Sequence, residues 1–187
     1  AITDEQLNDR WLAETLAAAA HAELQRLFAG GNDDDGQALT YWSAIMTDEA
    51  VAGHNFIQWR EIDLRQMRDN NDLGQYGEIH GARWFADTTA ARLSTLVGDE
   101  NILTAQTYAV AGWTYVFVGE FLCESPLNAE GQIYTSNEIS AMAIPRFDRA
   151  IEIAEAARAA GEDDDEVDEI INLARVGAAR ASLNIGD

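Results

Sequence analysis

The sequence predicts an all-α fold of antiparallel helical hairpins, and three observations support this prediction. Alanine is abundant and proline occurs only twice in 187 residues, a composition that favours helices. Apolar residues recur at steps of three and four along most of the chain. In the second half, small and aromatic residues have the spacing of helix–turn–helix repeats whose helices pack closely. These residues are Gly112, Ala143, Phe147, Ala150 and Gly177.

The N-terminal region, residues 1–72, is predicted to contain three helices joined by loops. Thr3 and Gln6 have the capping-box spacing, and the helix that they begin should continue to about residue 29, before a pair of glycines. An acidic loop follows. A short helix is then predicted over 38–46 and another over 55–68, where the Asp- and Asn-rich segment after it ends the helical pattern.

The second region, residues 73–187, is predicted to form four longer helices within the same single domain. They span 73–97, 102–123, 136–160 and 166–185. Thr135 and Glu138 again have the capping-box spacing. Pro145 predicts either a kink in the third of these helices or a later start at Ala143 or Ile144. No convincing strand pattern occurs, although Ile133, Tyr134 and Thr135 look extended.

Because the connections are short, consecutive long helices are expected to be antiparallel neighbours with a right-handed α-α repeat. Small residues let helix backbones approach closely. We therefore expect helix-packing contacts at Gly81, Gly112, Ala143, Phe147, Ala150 and Gly177. Trp84 and Trp113, which follow two of these glycines, are expected in the core.

The composition and charge exclude several classes of function. The formal net charge is −21, and every basic residue is arginine. Nucleic acids and anionic lipids require a basic surface, so we expect neither as a ligand. No stretch approaches the roughly 20 apolar residues of a membrane span, and no signal peptide is recognisable. Cys123 has no partner for an intrachain disulfide and is predicted to be a small buried side chain.

No motif for catalysis, a metal or a cofactor is recognisable. The acidic runs at 33–35 and 163–165 lack the ligand spacing of a calcium loop. His21, His54 and His80 lie on separate segments without a second histidine at metal-ligand spacing. Phosphate-binding, dinucleotide-binding and nucleophile-elbow motifs are missing as well. We therefore predict a protein that is not an enzyme and that needs no cofactor or metal.

Aromatic side chains are the better candidates for binding. Tyr41 and Trp42 border the acidic loop, and Trp59 precedes an arginine. We expect these three side chains to be exposed. Exposed tryptophan and tyrosine rings stack on sugar rings or anchor protein interfaces.

The chain also resembles known families. The second-helix spacing Ala143-x3-Phe147-x2-Ala150 resembles that of tetratricopeptide repeats. The run over 109–123, the proline-containing loop after it, and the segments 147–151 and 178–187 are together similar to the helical core of SusD-like (RagB/SusD) nutrient-uptake proteins. This similarity covers residues 75–187 well and the earlier part only in layout.

The resemblance implies a lipoprotein of the outer membrane, exposed on the cell surface, that binds glycans or peptides above a TonB-dependent transporter and has no catalytic residues. SusD-like chains are usually more than twice as long, so we expect either a fragment or a short relative. A second hypothesis is a structural or interaction module. In that case a short helical-repeat subunit packs in a larger or self-assembled extracytoplasmic complex.

Overall fold

The fold is all-α, as the sequence predicts, in a computed structural model that describes residues 6–30, 38–53, 55–66, 68, 75–129 and 131–186. These residues form seven α-helices, two short 3-10 helices and one two-stranded hairpin. The α-helices are α1 (Ala13–Ala29), α2 (Leu39–Met46), α3 (Ile57–Asp63), α4 (Gln75–Leu96), α5 (Ile102–Phe121), α6 (Ser136–Ala160) and α7 (Asp164–Ile185). The strands are β1 (Glu124–Pro126) and β2 (Ile133–Thr135).

The first helix begins later than the sequence predicts. Two 3-10 helices, Gln6–Asn8 and Arg10–Leu12, precede α1, which starts only at Ala13. The carboxylate of Asp9 accepts a hydrogen bond from the backbone N–H of Trp11 at 3.1 Å. Such a local side-chain bond offers the backbone an alternative to the α-helical ladder. The predicted cap at Thr3 lies outside the described residues.

Helix α3 is much shorter than the predicted helix over 55–68 because Arg65 ends it. The backbone of Arg65 is left-handed, with a φ of 57°. Its guanidinium donates hydrogen bonds to the carbonyl oxygens of Ile45 and Met46 at 3.1 and 2.8 Å. These bonds hold the end of α3 against the end of α2.

Helix α6 passes through Pro145 without interruption, so the alternative of a later start at Ala143 or Ile144 is wrong. It begins at Ser136, where the predicted capping box is formed. The backbone N–H of Thr135 donates to the carboxylate of Glu138 at 2.7 Å, and the N–H of Glu138 donates to the Thr135 hydroxyl at 3.3 Å. This reciprocal pair satisfies two N–H groups at the helix start.

The extended segment expected over 133–135 is β2, and it pairs with a strand that sequence analysis missed. β1 and β2 are antiparallel, with Ser125 opposite Tyr134. β1 has three residues and ends in Pro126, so it is too short to show an alternating pattern. The hairpin closes the connection between α5 and α6.

Helix α5 lies at the centre and packs against α1, α4, α6 and α7. The contacts Gly112–Phe147 and Gly119–Ser140 run in opposite directions along α5 and α6, so these helices are antiparallel, as expected. Helix α1 runs in the same direction as α5. Phe28 stacks on Phe117 near one end, and Ala20 lies in the same core cluster as Val110 further along.

Helices α5 and α7 also run in the same direction, on either side of α6. Trp113 contacts Leu173, and seven residues later Glu120 contacts Arg180. The ring of Phe147 on α6 lies between Gly112 and Gly177, where a Cβ on either glycine would collide with it. Ala143 and Ala150, on the same face of α6, are fully buried.

The prediction that Gly81 is a helix-packing residue is wrong. It is exposed on α4, and a Cβ at this position would have no neighbour within 4 Å. Trp84, which follows it and was expected in the core, is 61% exposed. The face of α4 that packs inward instead carries Ile79, Ala82 and Ala86.

Candidate binding surfaces

The aromatic residues predicted to bind a ligand lie on α2 and α3, but one of them is buried. Trp42 is only 2% exposed, which contradicts the expectation of an exposed ring. Its indole stacks on that of Trp59, with ring centroids 4.1 Å apart, and Ile45 and Ile62 complete the cluster. Trp42 faces inward because α3 folds back onto α2, a contact between segments that no local pattern reveals.

The segments that form this cluster also expose large apolar side chains. The ring of Tyr41 is 47% exposed, and that of Trp59 is half-buried. We call the exposed large apolar residues of this region the α2–α3 surface; they are Tyr41, Met46, Val51, Phe56, Ile57 and Leu64. Residues 38–68 contain four acidic and three basic side chains and therefore carry a net charge of −1, whereas the whole chain carries −21.

A second concave site lies between α1, α5 and α7. Its floor is formed by α5, and its volume is about 280 Å³. We call it the α5 cleft, and its lining residues are His21, Leu24, Gln25, Phe28, Val110, Trp113, Phe117, Leu173 and Arg180. The sequence pattern does not reveal this cleft, because its residues come from three helices far apart in the chain.

Aromatic rings form the inside of the α5 cleft. Phe28 stacks on Phe117 with ring centroids 5.4 Å apart, and Trp113 is tilted against Phe117 at 5.8 Å. Trp113 was expected in the core and is instead half-buried. The indole N–H of Trp113 donates to the carbonyl oxygen of Leu173 at 3.3 Å, which ties the floor to the α7 wall.

Arg180 is held at the rim of the cleft by Glu120. Two guanidinium nitrogens donate to the two carboxylate oxygens at 2.6 Å each. This bidentate bond raises the pKa of Arg180 above its usual value, against the opposing effect of burial. The guanidinium also lies 5.9 Å from the ring centroids of both Trp113 and Phe117. The positive charge is therefore compensated within the rim.

A partly buried polar network joins α4, α5 and α6. The hydroxyl of Tyr115 donates to Asp87 at 2.6 Å, and Arg146 donates to both oxygens of Asp87 at 2.7 and 2.9 Å. Arg83 donates to the Tyr115 hydroxyl at 3.1 Å. Burial, and then the hydrogen bond to Asp87, raise the pKa of Tyr115. Burial alone would lower the pKa of Arg146, but its bond and attraction to Asp87 outweigh burial and raise it.

This network is best explained as a structural clamp. Each member bonds to another member, so the group offers a ligand few unsatisfied atoms. Arg146 also stacks over the Tyr115 ring at 3.7 Å, and Arg83 donates to the carbonyl oxygen of Leu127 at 2.6 Å. The clamp thereby fixes three helices and the loop after β1.

His80 and Ser125 form a pair with the spacing of a base and a nucleophile. The imidazole Nε2 lies 2.8 Å from the Ser125 hydroxyl, within the reach that such pairs need. Ser125 is only 1% exposed, however, and His80 Nδ1 is buried without a hydrogen-bond partner in the described part of the chain. Burial, and then the charge of Arg83, lower the pKa of His80. The pair therefore fastens β1 to α4 rather than presenting a nucleophile.

The remaining candidates from the sequence occupy other positions. Cys123 is exposed in the turn between α5 and β1, which corrects the prediction of a buried thiol. His21 is exposed on α1, and His54 lies outside the described residues. Within the described ranges, no cluster of three or more His, Cys, Asp or Glu side chains could hold a metal ion. Of the helices described, none combines the length and the apolar character needed to cross a membrane.

No protein-family model, curated protein or solved structure matches this chain. The SusD-like resemblance therefore stays a prediction from the residues quoted above. Among the described residues, the α2–α3 surface and the α5 cleft are the features most open to a ligand or partner.

Proposed function

We propose that this protein is a non-enzymatic, extracytoplasmic binding protein of the SusD-like type. In this role it captures glycan or peptide ligands at the cell surface and passes them to a TonB-dependent outer-membrane transporter. The observation that carries the proposal is the α2–α3 surface, which exposes aromatic and apolar side chains in a region whose net charge is only −1. The sequence similarity over 75–187 supports the transporter partner and the outer-membrane location.

The α2–α3 surface has the properties of a recognition patch. The Tyr41 ring is 47% exposed, and the residue after it, Trp42, is anchored by its stack on Trp59. A ring whose backbone is held in this way loses little conformational freedom when a ligand stacks on it. The local net charge of −1 lets an uncharged sugar or peptide approach without displacing a strongly bound ion atmosphere.

The proposal is tested by measuring binding of neutral oligosaccharides and of short peptides to the purified chain by isothermal titration calorimetry. We expect at least one class to bind, and Tyr41→Ala to weaken that binding by tenfold or more. Trp84→Ala is the control, because it removes another exposed aromatic ring from α4, outside the α2–α3 surface. Equal losses in the two variants, or no binding of either class, would overturn the proposal.

A second candidate function is a structural or interaction module, a helical-repeat subunit in a larger or self-assembled extracytoplasmic complex. The exposed apolar residues of α7, including Val176 at 61% exposure, favour this alternative. Light scattering coupled to size-exclusion chromatography tests the self-assembled form. A mass that rises with protein concentration supports it, and a constant mass near 20.5 kDa contradicts it.

A further inference from the structure

The α5 cleft continues along α7 as an apolar stripe. Leu173 lines the cleft, and Val176 and Leu183 follow it at steps of three and seven residues with their side chains exposed. On the other side of the cleft, Phe28 of α1 is also exposed. Since α1 and α7 both run in the direction of α5, they form two walls over an apolar floor.

The dimensions of this groove suit a helix. Ten residues separate Leu173 from Leu183, which corresponds to about 15 Å at a rise of 1.5 Å per residue. That length covers nearly three turns, enough for side-chain anchors at positions i, i+3 or i+4, and i+7 of a bound helix. The cleft volume of about 280 Å³ accommodates the anchors, while the helix itself lies above the walls.

The charge beside the groove determines which helix fits. Residues 162–169 include seven acidic side chains and no basic one. Glu169 is exposed one turn before Leu173, on the same side of α7. Arg158 pairs with Asp164 and Asp168, but among the described residues Glu169 has no such ion pair. The end of the groove that lies beside the start of α7 is therefore negatively charged.

We infer that the groove formed by the α5 cleft and the α7 stripe binds a basic amphipathic helix of a partner protein. A second copy of this chain is disfavoured as the occupant, because it also carries a net charge of −21 and contains no lysine. Basic residues on the partner helix meet the acidic end of α7, and its apolar face covers Leu173 and Val176. The inference is independent of ligand binding at the α2–α3 surface.

The probe for this inference is a synthetic 20-residue peptide of leucine and lysine with its leucines on one helical face. Its controls are a scrambled peptide of the same composition without such a face, and a version with glutamate in place of lysine. Fluorescence anisotropy of the labelled peptides reports binding. We expect the amphipathic basic peptide to bind at least tenfold more tightly than the scrambled peptide, and the acidic version to show no binding.

Two charge variants separate docking in the groove from general attraction to an acidic protein. Leu173→Glu with Val176→Glu adds two negative charges inside the groove, whereas Trp84→Glu with Ile133→Glu adds the same charges at exposed positions of α4 and β2, outside both the groove and the α2–α3 surface. If the basic peptide is held only by general attraction to an acidic protein, its affinity rises in both variants. Docking in the groove weakens by tenfold or more only in the first. All four side chains are exposed, so both variants retain the buried core.

Three results would overturn the inference. The scrambled peptide could bind as tightly as the amphipathic one, or the groove variant could retain the affinity of the control variant. Alternatively, sedimentation analysis could detect a dimer of the free chain that the groove variant dissociates, which would make a second copy the occupant.

Discussion

The ring of Phe147 occupies the space that a side chain at Gly112 would need. A Cβ built on Gly112 would lie 2.5 Å from the ring carbon Cε1, well inside van der Waals contact. The same ring also excludes a side chain at Gly177. One aromatic residue of α6 therefore determines how closely α5 and α7 approach, and these two helices bound the α5 cleft.

Replacing Gly112 with alanine should destabilise the fold by about 1–3 kcal/mol, the usual cost of overpacking a core. Gly112→Leu should cost more, because a larger side chain displaces the ring further. Gly81→Ala is the matched control, since a Cβ there meets nothing within 4 Å and alanine favours a helix by about 0.5–1 kcal/mol. Urea unfolding of the three variants gives the values. A neutral or stabilising Gly112→Ala would show that α5 and α6 are not in contact there.

A double-mutant cycle should show that Gly112 and Phe147 are coupled. Phe147→Leu alone leaves a cavity beside both glycines and should destabilise the fold, because Phe147 is fully buried. In the Gly112→Ala background the smaller leucine leaves room for the added methyl group. The loss in the double variant should therefore be smaller than the sum of the single losses, by about 0.5–3 kcal/mol. Strict additivity in urea unfolding would contradict the proposed contact.

The sequence predicts the helices of the second half well because their signals are local. The periodicity of α5 to α7, and the spacing of Gly112, Ala143 and Phe147, report directly which face of each helix is buried. Gly81 is a helical glycine like Gly112, but it lies at an exposed position and not at a helix contact. A glycine in a helical pattern indicates either a close contact or an exposed position, and only the tertiary structure distinguishes the two.

The candidate sites depend on contacts between distant segments, so the sequence predicts them poorly. Trp42 is buried by α3, more than a dozen residues further along the chain, and its neighbour Tyr41 is exposed. The walls of the α5 cleft come from Phe28 and Leu173, which are separated by most of the chain. Local periodicity identifies each helix face but does not show which faces meet around a cavity.

Removing the carboxylate of Asp87 should destabilise the fold by about 2–3 kcal/mol. The substitution leaves the partly buried guanidinium of Arg146 without its counter-charge. Removing one partner of a fully buried ion pair lowers the free energy of unfolding by somewhat more. Glu152→Ala is the control, because it breaks an exposed ion pair with Arg149 and should cost about 0.5 kcal/mol or less. Urea unfolding of Asp87→Ala and Glu152→Ala compares the two. Similar small losses would show that the clamp between α4 and α6 adds little to stability.

The partial burial of His80 should make stability depend on pH below neutrality. Burial, and then the nearby charge of Arg83, lower the pKa of His80 in the folded chain. As the pH falls below about 6.5, the ordinary pKa of histidine, the unfolded chain binds a proton that the folded chain does not. The stability that His80 contributes above that pH is therefore lost as the pH falls towards the lowered pKa.

His80→Gln tests this dependence, because a glutamine amide can still reach the Ser125 hydroxyl but does not titrate. The free energies of unfolding of wild type and variant should be compared by urea unfolding at pH 7.5, 6.5 and 5.5. The advantage of the wild type over the variant should shrink at each step, since carboxylates elsewhere titrate equally in both proteins and cancel in the difference. A constant difference across the three pH values would show that His80 takes up its proton equally in the folded and unfolded chains. In that case the anchoring of β1 to α4 would not depend on a neutral imidazole.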